Sequence, residues 1–132
     1  MATVFTRVME GEFPGAFAHR DDRCAVFMAK DPLAVGHALV VPRAEIDQWI
    51  DLDDELLAHL MAVARRVGVA QRRAFDTARI GIIVAGYEVP HVHVHVIPTN
   101  SMADLDFTNV TRDVPLDELE RAAGRIQAEL EG

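Results

Sequence analysis

The sequence has a single cysteine, Cys24, so no disulfide can form within the chain. Its neighbours in the run 24–28 are apolar, which favours a buried structural thiol over a reactive one. Long apolar runs are missing too, since none approaches the ~20 residues that a membrane span requires. The first residues lack the basic and apolar regions of a secretory signal peptide. We therefore expect a cytoplasmic protein that has no membrane partner.

Positive charge is scarce, with 13 Lys and Arg residues against 21 Asp and Glu residues and a formal net charge of −8. Such a surface repels a phosphate backbone, so we expect no nucleic-acid partner. A small anionic ligand remains compatible with this balance, because one pocket of histidines and backbone amides can accept a phosphate. The length of 132 residues, half of them hydrophobic, predicts one domain over residues 1–132 with a substantial core.

Hydrophobic periodicity predicts an antiparallel α+β domain with five strands and with helices covering one face of the sheet. A short helix is expected at 4–10, strands at 17–19, 24–28 and 37–41, a long helix after Asp51, and a strand at 79–85. A strand of histidines follows, then a loop over 99–109 and a last helix over about 115–130. The long helix has acids in its first turn, where the helix dipole favours them.

Three of the six histidines lie in one pentapeptide, within the run His-Val-His-Val-His-Val-Ile-Pro at residues 91–98. Alternation with a period of two predicts a strand that carries all three imidazoles on one face and the valines on the other. Other polar residues would serve solubility better on a surface strand. The row of histidines therefore indicates a functional site, for catalysis or for ligand binding.

Three interpretations of the row remain open from the residues alone. In the first, a neutral imidazole attacks phosphorus in phosphoryl or nucleotidyl transfer, with the middle residue, His93, as the natural nucleophile. In the second, two or three of the histidines bind zinc, with His37 or a distant acid completing the site. In the third, the histidines are structural. His37 follows Gly36 and starts a predicted strand, so it could stand beside the row in the sheet.

Three segments, in this order, carry a resemblance to a known family: Phe-Thr-Arg-Val-Met-Glu-Gly-Glu-Phe-Pro at 5–14, Gly-His-Ala-Leu-Val-Val-Pro at 36–42, and Val-Pro followed by the histidine run at 89–98. The chain resembles the histidine triad (HIT) family of nucleotide-binding hydrolases and transferases over roughly residues 4–100. The resemblance implies a five-stranded antiparallel sheet with flanking helices, paired into a homodimer. It also implies activity without a metal or other cofactor.

The resemblance assigns a role to each of four histidines. His93 would attack the α-phosphorus of a nucleotide and form a covalent nucleotidyl-histidine. His95 would contact the phosphate and help the leaving group. The backbone carbonyl of His91 would hold the tautomer of His93, and His37 would hydrogen-bond into the cluster. Because an ordinary histidine titrates near ~6.5, we expect activity to fall on the acid side of neutrality.

Four further residues are candidates for nucleotide contacts. Phe27 and Leu39 could form the apolar wall of a base pocket, although each is equally well explained as core. Tyr87 stands where the family often has Gln, and its hydroxyl could act there, with a packing role as an equal alternative. Glu88 is the fourth candidate, with a solvated turn as the alternative.

The chain departs from the family pattern at other positions. Ala29 stands where the family commonly has the acid that holds the ribose hydroxyls, and the next acid is Asp31. The short apolar stretch 82–85 replaces a longer glycine-rich loop, and Glu45 replaces a second histidine. The favoured interpretation is a hydrolase or transferase acting on a nucleoside phosphoramidate, nucleotidyl ester or dinucleotide. The alternative is a nucleotide-binding module with little or no turnover.

Overall fold

The computed structural model describes residues 2–131, and its elements follow the predicted order. The helices are α1 (Val4–Met9), α2 (Asp54–Ala74) and α3 (Leu116–Glu131), and the strands are β1 (Phe17–Arg20), β2 (Cys24–Met28), β3 (Ala38–Pro42), β4 (Arg79–Ile83) and β5 (Val94–Thr99). The segment expected to be a loop after β5 contains two short 3-10 helices, Met102–Leu105 and Phe107–Asn109. No helix among the described residues is long and apolar enough to span a membrane.

The five strands form one sheet in the order β1-β2-β3-β5-β4, and every neighbouring pair is antiparallel. The predicted five-stranded antiparallel α+β fold is therefore confirmed. Strands β1 and β4 are the edges, and β3 is the central strand, with β2 and β5 on either side of it.

Helices cover both faces of the sheet, whereas the sequence predicted helices on one face only. Helices α2 and α3 pack over Val26, Val40 and Val96 on one face. Helix α1 packs against Phe27 and Leu39 on the other face. Because neighbouring residues of a strand point to opposite faces, the buried pattern of β2 and β3 serves two cores at once.

The long helix α2 begins where the acidic residues predicted it. The Asp53 side chain accepts a hydrogen bond from the Leu56 N–H at 2.8 Å, which caps the helix, and Asp54 and Glu55 follow in the first turn. Apolar residues at spacings of three and four along the helix are buried: Leu60, Val63, Val67 and Ala70. The helix thus presents one continuous face to the sheet.

The predicted strand of histidines is shorter than expected, because β5 starts at Val94 and contains only His95 of the three. Pairing between β3 and β5 ends at Val40 and Val94. Beyond this point Pro42 has no N–H to donate, and its carbonyl accepts from the side chain of His91 at 2.7 Å. The first two histidines therefore lie in a segment that approaches the sheet without pairing in it.

Candidate active site

A pocket of about 670 Å³ lies over the face of the sheet that α1 partly covers. Cross-strand register places Phe27 opposite Leu39 and Leu39 opposite His95, so the three side chains form a row across β2, β3 and β5. His93 and His37 join this row in the lining of the pocket. The structure thus brings two predicted wall residues and three of the four predicted histidines to one cavity.

The ring of His93 is held by the backbone two residues before it. Its Nδ1 lies 2.8 Å from the carbonyl oxygen of His91, and His93 is only 5% exposed. A carbonyl oxygen can only accept, so Nδ1 carries a proton. Burial lowers the pKa of His93, which favours the neutral ring. The lone pair of the neutral ring is then on Nε2.

A second chain of hydrogen bonds sets the tautomer of His95. The N–H of Leu33 donates to His37 Nδ1 at 3.0 Å, so the proton of a neutral His37 is on Nε2. His37 Nε2 lies 2.9 Å from His95 Nδ1 and donates to it. Because Nδ1 of His95 is the acceptor, the neutral ring of His95 carries its proton on Nε2. The two cluster histidines therefore present opposite groups, a lone pair on His93 and an N–H on His95.

The same cluster is kept neutral by its surroundings. Burial, with the nearby His93, lowers the pKa of His37 to about 4. Burial, with the neighbouring imidazoles of His37 and His93, lowers the pKa of His95 to about 3. The ring centroids of His93 and His95 are 4.8 Å apart, so two charged rings would repel each other strongly. At neutral pH the rings act as hydrogen-bonding groups without charge.

His91 is fully buried, and its ring is held between two chain segments rather than exposed to the pocket. Its Nε2 donates to the carbonyl of Pro42 at 2.7 Å, and its Nδ1 shares a 2.6 Å hydrogen bond with the Thr3 hydroxyl. Thr3 also caps α1. His91, whose backbone carbonyl positions His93, is therefore itself fixed by hydrogen bonds to the start of α1 and to the end of β3.

Aromatic rings from two distant segments complete the walls around the histidines. Phe5 lies edge-on to His93 with ring centroids 4.8 Å apart, and it also contacts Phe27 at 5.6 Å. Phe107, in the second of the short 3-10 helices, lies edge-on to His95 at 5.0 Å. Sequence reasoning missed Thr3, Phe5 and Phe107 as site residues, because their contacts join segments far apart in the chain.

The remaining predicted contacts differ in how the structure places them. Glu88 lines the pocket, and so does Ala29, where the family has its acid. Asp31 lines it as well, 3.6 Å from the guanidinium of Arg112. The structure does not bring Tyr87 to the pocket: the residue is 97% exposed and follows a turn in which Gly86 has a positive φ.

The antiparallel sheet and the buried histidine cluster beside an apolar pocket are the structural features that identify the family of this protein. A sequence profile of the HIT domain matches residues 10–102. An uncharacterised HIT-like protein of Saccharolobus solfataricus is 30% identical over 101 residues, covering 73% of each chain. The chain belongs to the HIT family.

Two similar proteins have names that describe an activity. The adenosine 5′-monophosphoramidase of Saccharomyces cerevisiae is 27% identical over 99% of this chain and 84% of its own length. The asymmetrical bis(5′-nucleosyl)-tetraphosphatase of Schizosaccharomyces pombe is 33% identical over 82% of this chain and 59% of its own length.

Solved structures agree with this assignment. A Hit-like protein of Bartonella henselae superposes with a TM-score of 0.82 at 26% identity, covering 96% of this chain and 95% of its own. A zinc-bound histidine triad protein of Mycobacterium smegmatis superposes with a TM-score of 0.82 at 25% identity, covering 99% and 94%.

Proposed function

We propose that this protein is a nucleotide hydrolase or nucleotidyl transferase that acts at the α-phosphate through a covalent nucleotidyl-histidine on His93. The observation that carries the proposal is the 2.8 Å hydrogen bond from His93 Nδ1 to the His91 carbonyl. It leaves Nε2 with the lone pair in a ring that burial keeps neutral. A neutral imidazole nitrogen with a set tautomer is what nucleophilic attack on phosphorus requires.

The reaction proceeds in two balanced steps. His93 Nε2 attacks the α-phosphorus and forms an N–P bond, while the bond to the leaving group breaks and the leaving group takes a proton from water. The ring then carries a positive charge, which the His91 carbonyl stabilises through Nδ1–H. In the second step water attacks phosphorus and loses one proton to solvent. The N–P bond breaks with its electron pair returning to Nε2, and the nucleotide leaves with the neutral ring restored.

The N–H of His95 stabilises the charge that develops on the phosphoryl oxygens. Its proton is on Nε2 because His37 donates to Nδ1 at 2.9 Å. A donor held in place before the reaction does not need to reorient as the negative charge grows. His37 acts through His95 and is a positioning residue.

The pocket and the relatives support a nucleotide substrate. Phe27 and Leu39 offer an apolar wall against which a base can pack, and Phe5 adds an aromatic edge. The two named relatives are a phosphoramidase and a dinucleoside tetraphosphatase. We therefore propose a nucleoside phosphoramidate, nucleotidyl ester or dinucleotide, with Asp31 as the acid in the pocket closest in sequence to the missing ribose contact.

A homodimer is proposed on the exposed side of β4. This strand is an edge of the sheet, and Ile82 on it is 46% exposed. Trp49 and Ile50, at 51% and 65%, add further exposed apolar surface. Light scattering on the purified protein, with Ile82→Arg as the variant, tests whether this edge pairs two copies.

The geometry favours a nucleophilic His93 over zinc at the histidine row. His37 Nδ1 accepts from a backbone N–H and His93 Nδ1 donates to a backbone carbonyl, which leaves Nε2 as the one nitrogen of His93 with a lone pair to offer. Among residues 2–131, the one group of three His, Cys, Asp or Glu donors within 4.8 Å of one another lies elsewhere, at His19, Asp21 and Cys24. The reaction proposed above therefore uses the side chains alone.

Hydrolysis of adenosine 5′-phosphoramidate tests the proposal, with His93→Asn as the matched variant. The asparagine amide can still donate to the His91 carbonyl, but it has no nucleophilic nitrogen. We expect the native protein to release AMP and to show a nucleotidyl adduct by mass spectrometry after a quench in base, which preserves the N–P bond. We expect His93→Asn to bind AMP and to release none. If the native protein binds AMP but neither forms AMP from the phosphoramidate nor carries an adduct, the result would support the nucleotide-binding module instead.

A further inference from the structure

A second cluster of reactive side chains lies at the turn between β1 and β2, and none of its members lines the pocket. His19 is on β1, Asp21 is in the turn, and Cys24 opens β2. His19 Nε2 lies 2.9 Å from Asp21 Oδ2, and Cys24 Sγ lies 3.4 Å from the same oxygen. Their ligand atoms all fall within 4.8 Å of one another.

A further side chain reaches the carboxylate of this cluster from helix α2. His59 is on α2, and its Nε2 lies 2.8 Å from Asp21 Oδ2. Two imidazoles, one thiol and one carboxylate therefore converge from the hairpin and from a helix that packs on the sheet. The imidazoles are about one-fifth exposed, so the cluster lies just below the surface, within reach of solvent.

We propose that His19, Asp21, Cys24 and His59 form a zinc site. Nitrogen, sulfur and oxygen donors in a set of four are what zinc takes in tetrahedral sites, with bonds of about 2.0–2.3 Å. Such bonds put neighbouring ligand atoms about 3.3–3.6 Å apart. The separations of 2.9 and 3.4 Å from Asp21 Oδ2 to His19 Nε2 and Cys24 Sγ need only small outward shifts to admit the ion. His59 lies 2.8 Å from the same oxygen but outside the set of donors within 4.8 Å of one another, so its ring must turn inward to become the fourth ligand.

The carboxylate is already oriented for such a role. Asp21 Oδ1 accepts from the backbone N–H groups of Arg23 and Cys24, each at 2.8 Å, so Oδ2 is left to face the three side chains. One carboxylate and one thiolate would balance the charge of Zn²⁺. Four protein ligands would close the coordination sphere, so the site would be structural and would tie the β1–β2 hairpin to α2.

Zinc binding must move protons in a defined way. Cys24 Sγ donates a hydrogen bond to Asp21 Oδ2, so the thiol carries its proton before the ion arrives. Formation of the Zn–S bond therefore releases one proton to solvent. The imidazole protons on Nε2 shift to Nδ1, so the exposed Arg23, whose guanidinium lies 3.2 Å from His59 Nδ1, must turn away.

Cobalt titration of the full chain tests the site, because Cys24 is the only thiol. A near-ultraviolet thiolate-to-cobalt charge-transfer band can arise only if the metal binds there. We expect one equivalent of Co²⁺ to give this band and Zn²⁺ to abolish it by displacing cobalt. We expect His59→Ala and Cys24→Ala to lose the band, and His93→Asn to keep it. Zn²⁺ should also raise the Tm of the native protein and leave that of His59→Ala unchanged.

Three outcomes would overturn the zinc site. Cobalt that binds without the thiolate band, and no longer binds in His93→Asn, is held by the pocket histidines. A native protein that binds no metal uses Asp21 only as a hydrogen-bonded link between the hairpin and α2. A band that survives in His59→Ala with unchanged affinity removes α2 from the site. None of these results depends on the proposed nucleotide chemistry.

Discussion

His37 Nε2 donates to His95 Nδ1 across 2.9 Å, which joins β5 to the residue that precedes β3. The bond continues a chain that starts at the backbone N–H of Leu33. Its direction follows from that first donor, because a backbone N–H cannot accept. This series of hydrogen bonds thereby places the proton of a neutral His95 ring on Nε2.

Substitution of His37 should lower turnover through the tautomer of His95. In His37→Leu nothing donates to His95 Nδ1, so the ring can move its proton there and lose the N–H that faces the phosphate. We expect kcat to fall by roughly 10²-fold, the usual loss when one such donor is removed, with a smaller change in KM. Steady-state hydrolysis of adenosine 5′-phosphoramidate measures both.

His37→Gln is the matched variant, because its amide N–H can reach toward His95 Nδ1. It should recover a large part of the lost kcat. Equal activity in the leucine variant and the native protein would show that the chain of hydrogen bonds is not needed. Urea unfolding of both variants separates this effect from a loss of folded protein.

The pH dependence of the rate should differ from that of an ordinary histidine. The sequence predicted a fall in activity on the acid side of neutrality. Burial lowers the pKa of His93, and it lowers the pKa of His37 to about 4 and the pKa of His95 to about 3. We expect kcat/KM to stay level through ~6.5 and to fall only well below it, since the neutral rings persist. A midpoint near ~6.5 would contradict this.

The same shifts predict how stability depends on pH. In the unfolded chain the imidazoles take up protons below ~6.5, whereas in the folded chain His37 and His95 remain neutral to about 4 and 3. The unfolded state then binds more protons, so the free energy of unfolding falls as the pH drops through this window. Urea titrations followed by the fluorescence of the single tryptophan, Trp49, measure this. They also separate unfolding from loss of activity.

Gly36 should tolerate no side chain. Its φ is +93°, and a Cβ there would lie 2.4 Å from the ring of Phe75. Gly36→Ala should lower the free energy of unfolding by about 1–3 kcal/mol for the backbone strain alone, and it should disturb His37, which follows directly. Gly124→Ala, in α3, is the control, because a Cβ added at this position would have nothing within 4 Å. It should stabilise the protein by about 0.5–1 kcal/mol. If Gly36→Ala left the free energy of unfolding unchanged, the predicted backbone strain would be refuted.

Local sequence signals predicted the elements well where one pattern dominated. The apolar run 24–28 is β2 with the predicted bounds, and Cys24 is buried as expected. The acids before α2 predicted its start. The strand of histidines was predicted too long, because alternation alone does not show where pairing stops. Where pairing stops, the Pro42 carbonyl accepts from the His91 side chain and the Val92 N–H donates to the carbonyl of Ile46, so neither group is used by a neighbouring strand.

The sequence by itself determined the sheet, the family and the four histidines of the site, since these depend on periodicity and on short motifs with set spacing. Only the tertiary structure decided that His91 is locked away from the pocket, that Tyr87 points to solvent, and that His59 reaches Asp21. The hydrogen bond between Thr3 and His91, for example, joins residues 88 positions apart. Such contacts depend on how the elements pack, and no local pattern in the sequence records that packing.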